Sequence, residues 1–134
     1  TSTEFLGDGV LNLFDIESKD RDDAFKHAIQ ASREILYARE FILNPLFTHY
    51  SLPNISIGIG IDHGVTIVTR FGYKTDNDLK AFGKCVYNVS RLCKGVNTIL
   101  GSPNAQANWP KSPNGTLQFI PAYDADGNIV YQIT

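Results

Sequence analysis

The chain reads as an α+β domain in the order ββαββαββ, a mainly antiparallel sheet with helices on one face. Three observations predict this. Short apolar runs are punctuated by Asp8-Gly9, Asn114-Gly115 and Asp126-Gly127, dipeptides that favour tight turns between strands. Two stretches, 17–47 and 83–99, repeat apolar residues at helical spacing. Between them Ile55, Ile57, Ile59 and Ile61 alternate with other residues, as strands do. With 134 residues, 43% hydrophobic and 19% charged, the chain is expected to be one domain over 1–134 with a core of its own.

Each element follows in order. Residues 3–6 and 10–14 are expected to pair around Gly7-Asp8-Gly9. Asp before Gly tolerates left-handed angles and caps its own turn, so the turn alone accounts for Asp8. In 17–47, Ala24, Phe25, Ala28, Ile29, Ile35, Leu36, Ile42 and Leu43 form one stripe, with acidic residues around its start. This long amphipathic helix should end near Asn44-Pro45 or slightly beyond. The isoleucine run then turns at Asp62-His63-Gly64 into Val65, Ile67 and Val68, giving a second hairpin or two sequential strands. "KTDNDLKAF" (74–82) reads as a loop and a short strand. A second helix opens at Gly83, with Val86, Val89, Leu92 and Cys93 on one face and both cysteines as small packing residues. The Pro- and Asn-rich stretch 102–114 reads as a loop. The final strands fall near 116–122 and 129–133, around "DADGN", which lacks the downstream glutamate of a calcium loop.

Composition also excludes classes of function. A net charge of −2 offers no basic surface for nucleic acid or anionic lipid. No apolar run is long enough to span a bilayer, and no signal peptide is visible. Cys85 and Cys93, eight residues apart in a helical stretch, are not expected to pair, which suits a reducing, cytoplasmic setting. The sequons at Asn54, Asn88 and Asn114 would matter only in a secreted protein.

"EFLGDGVLNLF", "SIGIGIDHGVTIV" and "KAFGKCVYNVSRL", in this order, resemble the successive signatures of class III nucleotidyl cyclase catalytic domains. That family reads Lys/Glu-x-x-Gly-Asp on a hairpin, then a Gly-Ile-x-x-x-x-Gly strand pair. Gly-Asp-x-Val-Asn-x-Ala-x-Arg then enters a helix. Three motifs in register are specific where one would be weak. The resemblance spans residues 3–102 and a final hairpin. It implies a ferredoxin-like core, a nucleoside triphosphate substrate, two Mg²⁺ or Mn²⁺ ions, and a homodimer with its active sites at the interface. It also places a first strand, with another metal-binding Asp and a phosphate-binding loop, upstream of Thr3. The chain is therefore expected to lack the N-terminal βα portion of such a domain.

Cyclisation needs the ribose 3′-oxygen to attack the α-phosphorus as pyrophosphate leaves. Divalent cations suit this chemistry, and they take oxygen ligands. By the resemblance Asp8 is a metal aspartate, which favours a ligand over a mere turn former. Arg91 falls where the family places an arginine against the phosphates, a role that a planar, permanently charged fork suits. Without that register a solvated helix-face arginine would be the better reading. Asp62 and His63 read as turn residues. Three departures matter: Tyr87 replaces the Asn that positions the ribose, Lys84 replaces a common Asp or Asn, and no lysine occurs between Thr116 and Thr134.

The family's base-edge readers fall on Glu4 and Lys80. A carboxylate only accepts and an ammonium only donates, so the pair fits the N–H and carbonyl of guanine or uracil and fits adenine poorly. Tyr87, bulky near the ribose, tips the expectation to UTP and cyclic UMP, as in the divergent bacterial pyrimidine cyclases of antiphage signalling. Guanylate cyclisation and a catalytically silent nucleotide-binding or dimerisation module are the alternatives. A Gly-Gly-Asp/Glu-Glu-Phe loop is absent, so a diguanylate-cyclase-like reading ranks low.

Overall fold

A computed structural model describes residues 2–16, 21–73 and 76–134. The first residues of the predicted 17–47 helix, 17–20, and of the 74–82 segment, 74–75, lie outside the described residues. The architecture is α+β, as expected.

The first hairpin pairs β1 (Ser2–Leu6) with β2 (Gly9–Leu13) antiparallel, Leu6 opposite Gly9. This leaves a two-residue loop, Gly7 and Asp8. The left-handed backbone falls on Gly7, at φ 60°, and not on Asp8. Glycine at the first loop position is a favoured hairpin solution. Asp8 is therefore not the residue that the turn's backbone demands, contrary to the Asp-Gly reading.

Helix α1 (Arg21–Ala38) continues through a π-helical segment, Arg39–Leu43, into α2 (Asn44–His49). Pro45 sits in the first turn of α2, where a missing N–H costs least, and the wider π turn precedes it. The buried Asn44 side chain holds the following segment, accepting from the Ile55 amide at 2.8 Å and donating to its carbonyl at 3.2 Å. The expected apolar stripe is buried only in its first half. Ala24, Phe25 and Ile29 are in the core, whereas Ile35 and Ile42 are exposed.

The Ile55–Val68 stretch does not close on itself. β3 (Ile59–Ile61) pairs in parallel with β6 (Ile99–Gly101), and β4 (Ile67–Tyr73) pairs antiparallel with β5 (Asp76–Phe82). The second of the two open readings, sequential strands, is the observed one, and the 74–82 segment is mostly strand. Helix α3 (Lys84–Leu92) begins after Gly83 as expected. The alternation in β3 has two purposes. Ile59 and Ile61 join the core, while a Cβ on Gly60 would lie 2.7 Å from Leu92 Cβ and 2.8 Å from the Val89 carbonyl. Glycine there lets α3 rest directly on the strand.

The 102–114 stretch is not all loop. It contains α4 (Pro103–Asn108), whose N-cap Ser102 accepts from the Ala105 amide at 2.9 Å, with Pro at the first helical position. β7 (Phe119–Tyr123) and β8 (Ile129–Ile133) complete a four-stranded sheet of order β3-β6-β8-β7. Phe25, Ile29, Ile61, Ile99, Trp109 and Ile133 make the core. Phe25 and Phe119 flank Trp109 at ring distances of 4.7 and 5.2 Å. Cys85 is half-buried, but Cys93 is exposed and free, so it is not a packing residue.

Candidate functional site

Two clusters of polar side chains stand out, and a lone carboxylate. The first cluster joins β1 to β5. Glu4 Oε1 accepts from Lys80 Nζ at 3.0 Å, and Oε2 accepts from the Ala81 amide at 3.1 Å. The partners are 76 and 77 residues apart in sequence. Lys80's hydrogen bond holds the Glu4 carboxyl below the ordinary carboxylate range; partial burial opposes this and the Ala81 amide adds to it. Glu4 is 10% exposed and Lys80 37%, so the ammonium is the more outward member of the pair. The two residues expected as a pair of base readers thus bond to each other as donor and acceptor.

The second cluster lies where α3 meets the β7–β8 turn. An open groove of about 630 Å³ is lined by Tyr87, Ser90, Arg91, Lys94, Asp126 and Asn128. Arg91 reaches across it. Its Nη2 contacts the Asp126 carboxylate and lies 3.8 Å from that of Asp124. Its guanidinium also lies 5.8 Å from the centre of the exposed Tyr87 ring, one helical turn back. "DADGN" is the turn expected. Asp124 Oδ1 accepts from the amides of Asp126 and Asn128, and Gly127 takes the positive φ of 81°. Bonds from the Asn128 amide and side chain, then Arg91's charge, hold Asp124 below the ordinary carboxylate range against some burial. The turn's third feature, a carboxylate on Arg91, had no local signal in the sequence.

Helix α3 is itself anchored through Asp62. This residue accepts from the His63 amide at 2.8 Å, from Asn88 Nδ2 at 2.8 Å and from the Ser102 hydroxyl. It lies just past β3 in the connection to β4, not in a hairpin turn, and it ties β3 to α3 and to the cap of α4. Asn88, next to Tyr87, is thereby turned toward Asp62. His63 stacks on Phe25 at 5.6 Å.

Asp8 stands apart. It is exposed at the β1–β2 tip and has no hydrogen bond or ion pair among the described residues. A free carboxylate is a suitable hard-cation ligand. Among the described residues, however, no three His, Cys, Asp or Glu side chains gather as a metal site. Among the described residues Asp8 therefore fits as one cation ligand, and no further carboxylates gather beside it to make a two-ion centre.

The α+β scaffold with this hairpin, strand and helix order is cyclase-like. A solved structure that shares it is the crystal structure of the guanylyl cyclase Cya2, with a TM-score of 0.72 and 22% identity, covering 98% of this chain and 68% of that one. At that identity the likeness is one of fold. No family model matches the chain, and no curated protein matches it. No helix among the described residues is long and apolar enough to cross a membrane.

Proposed function

We propose that the chain is a nucleotidyl cyclase domain that converts UTP into cyclic UMP, a signalling messenger of the antiphage kind, and pyrophosphate. The ribose 3′-oxygen bonds to the α-phosphorus, the bond to the β-phosphate oxygen breaks, and the hydroxyl proton is lost. Mg²⁺ or Mn²⁺, with Asp8 as one ligand, would lower the hydroxyl's pKa and neutralise the polyphosphate. Arg91 donates to phosphate oxygens. Glu4 and Lys80 read the base edge, and Tyr87 contacts the ribose or base beside Arg91. A second copy of the chain would complete the site. Phe5, Val65, Ile67 and Tyr73, all more than half exposed, supply apolar surface for such an interface.

The observation that carries this reading is the Glu4–Lys80 pair. It sets one acceptor beside one donor on a cyclase-like fold, and uracil N3–H and O4 are the complementary neighbours. Guanine N1–H and O6 match equally well, and Tyr87 in the place of a small amide is what turns the choice to the smaller base. A catalytically silent module is the second reading, favoured by the carboxylates that occupy Arg91. Incubating the protein with each of the four nucleoside triphosphates and Mn²⁺ tests all three. Cyclic UMP is the expected product. Predominant cyclic AMP would defeat the edge-reading logic, cyclic GMP would defeat only the Tyr87 step, and no product would favour the silent module.

A further inference from the structure

We infer that Asp126 is an internal counter-anion that occupies Arg91 until a polyphosphate displaces it, so that the β7–β8 turn gates anion binding in the α3 groove. This rests on the phosphate role proposed for Arg91 and adds its regulation. The two carboxylates at Arg91 differ in how they are held. Asp124 is fixed by two backbone amides and by Asn128 Nδ2 at 3.2 Å. The Asp126 carboxylate has Arg91 as its partner among the described residues, and its side chain is 65% exposed. Its amide holds the turn, so its carboxylate is free to leave without unmaking it.

Charge and geometry agree. Both carboxylates approach the guanidinium at Nη2, so a phosphate that takes this nitrogen competes with them. Two oxygens of a tetrahedral phosphate can span an arginine fork as the two of a carboxylate do, so the two anions compete for it. Lys94, on the same groove, has no ion-pair partner among the described residues. Arg91 and Lys94 are thus balanced by Asp124 and Asp126, and the groove as it stands does not favour a polyanion. Releasing Asp126 leaves it a net positive charge, with only the more distant Asp124 still at Nη2. Lys94 offers the incoming anion its first contact.

Calorimetric titration of inorganic pyrophosphate into the full chain, without divalent cations, tests this. Asp126→Asn keeps the backbone bonds of the turn and should bind pyrophosphate about fivefold more tightly than the wild type, the scale of one partly exposed pair. Asp126→Ser should do the same. Adding Arg91→Ala to Asp126→Asn should abolish the gain. Unchanged or weaker binding in both single variants, or a gain that survives Arg91→Ala, would overturn the inference. Circular dichroism checks the fold of each variant. The measurement needs no turnover. Tighter binding without cyclic product would keep this inference and sink the cyclase reading, and cyclic product with unmoved binding would do the reverse.

Discussion

Among the described residues, ion pairs bridge distant parts of this chain at two places, and the two are built differently. At the β1–β5 junction, both Glu4 oxygens are engaged, one by Lys80 and one by a backbone amide, and the carboxylate is mostly hidden. At the groove, one guanidinium nitrogen of Arg91 meets two carboxylates, and the nearer one is well exposed. The first arrangement fixes a side chain in one place. The second holds a side chain with a partner that water and other anions can replace. A fixed donor–acceptor pair suits recognition of a base edge, and an exchangeable one suits capture of phosphates.

The largest expected effect tests whether either pair suffices without the hairpin tip. Asp8→Ala should leave both pairs and the fold intact yet remove turnover, because losing a metal ligand forfeits several kcal/mol of barrier lowering. Activity assays beside a thermal melt check it, and full activity in a folded variant would remove the metal role. Next is the exchangeable pair. Arg91→Lys should slow turnover by about two to three decades, since a compact ammonium cannot reproduce forked contacts. Wild-type rates would mean that the groove is not the phosphate site.

For the fixed pair, the expected change is in preference rather than rate. Exchanging the two residues, Glu4→Lys with Lys80→Glu, keeps an ion pair but reverses donor and acceptor. The UTP-to-ATP ratio of kcat/KM should then shift toward ATP by about one to two decades, the scale of hydrogen bonds to charged groups. A ratio that does not move would make the pair purely structural. The smallest effect is on stability against pH. Because the Glu4 carboxyl is held below its ordinary range, its contribution is present above about pH 4.3 and fades as pH falls through the depressed value. Urea unfolding of wild type and Glu4→Gln should therefore differ at neutral pH and converge as pH falls below the depressed value. A difference that is constant with pH would place the effect elsewhere.

Much of this was legible in local sequence. The β1–β2 hairpin, the start of α3 at Gly83 and the 124–128 turn each rest on residues that set backbone angles within a few positions. Helix α4 was hidden because its six residues carry no long apolar stripe, although Ser102-Pro103 is a cap and first-turn signal. The parallel pairing of β3 with β6 joins two three-residue strands across the chain, and nothing local marks it. The same holds at the two clusters. Motif register singled out Glu4, Lys80, Tyr87 and Arg91, and the structure brings them together in pairs, Glu4 with Lys80 and Tyr87 with Arg91. That Arg91 faces two aspartates is a matter of tertiary geometry alone.

Asp62 has a consequence for how such a molecule could change over time. By holding Asn88 of α3 and the cap of α4 to the end of β3, it references the arginine's helix to the central sheet. The Glu4–Lys80 pair is referenced instead to the β1–β2 and β4–β5 hairpins, and among the described residues no side chain bonds in both networks. On the proposed function, substitutions at Glu4 and Lys80 would retune base choice while leaving in place the Asp62 bonds that seat α3. Letter and handle of the substrate would then be held by two separate sets of bonds in one chain.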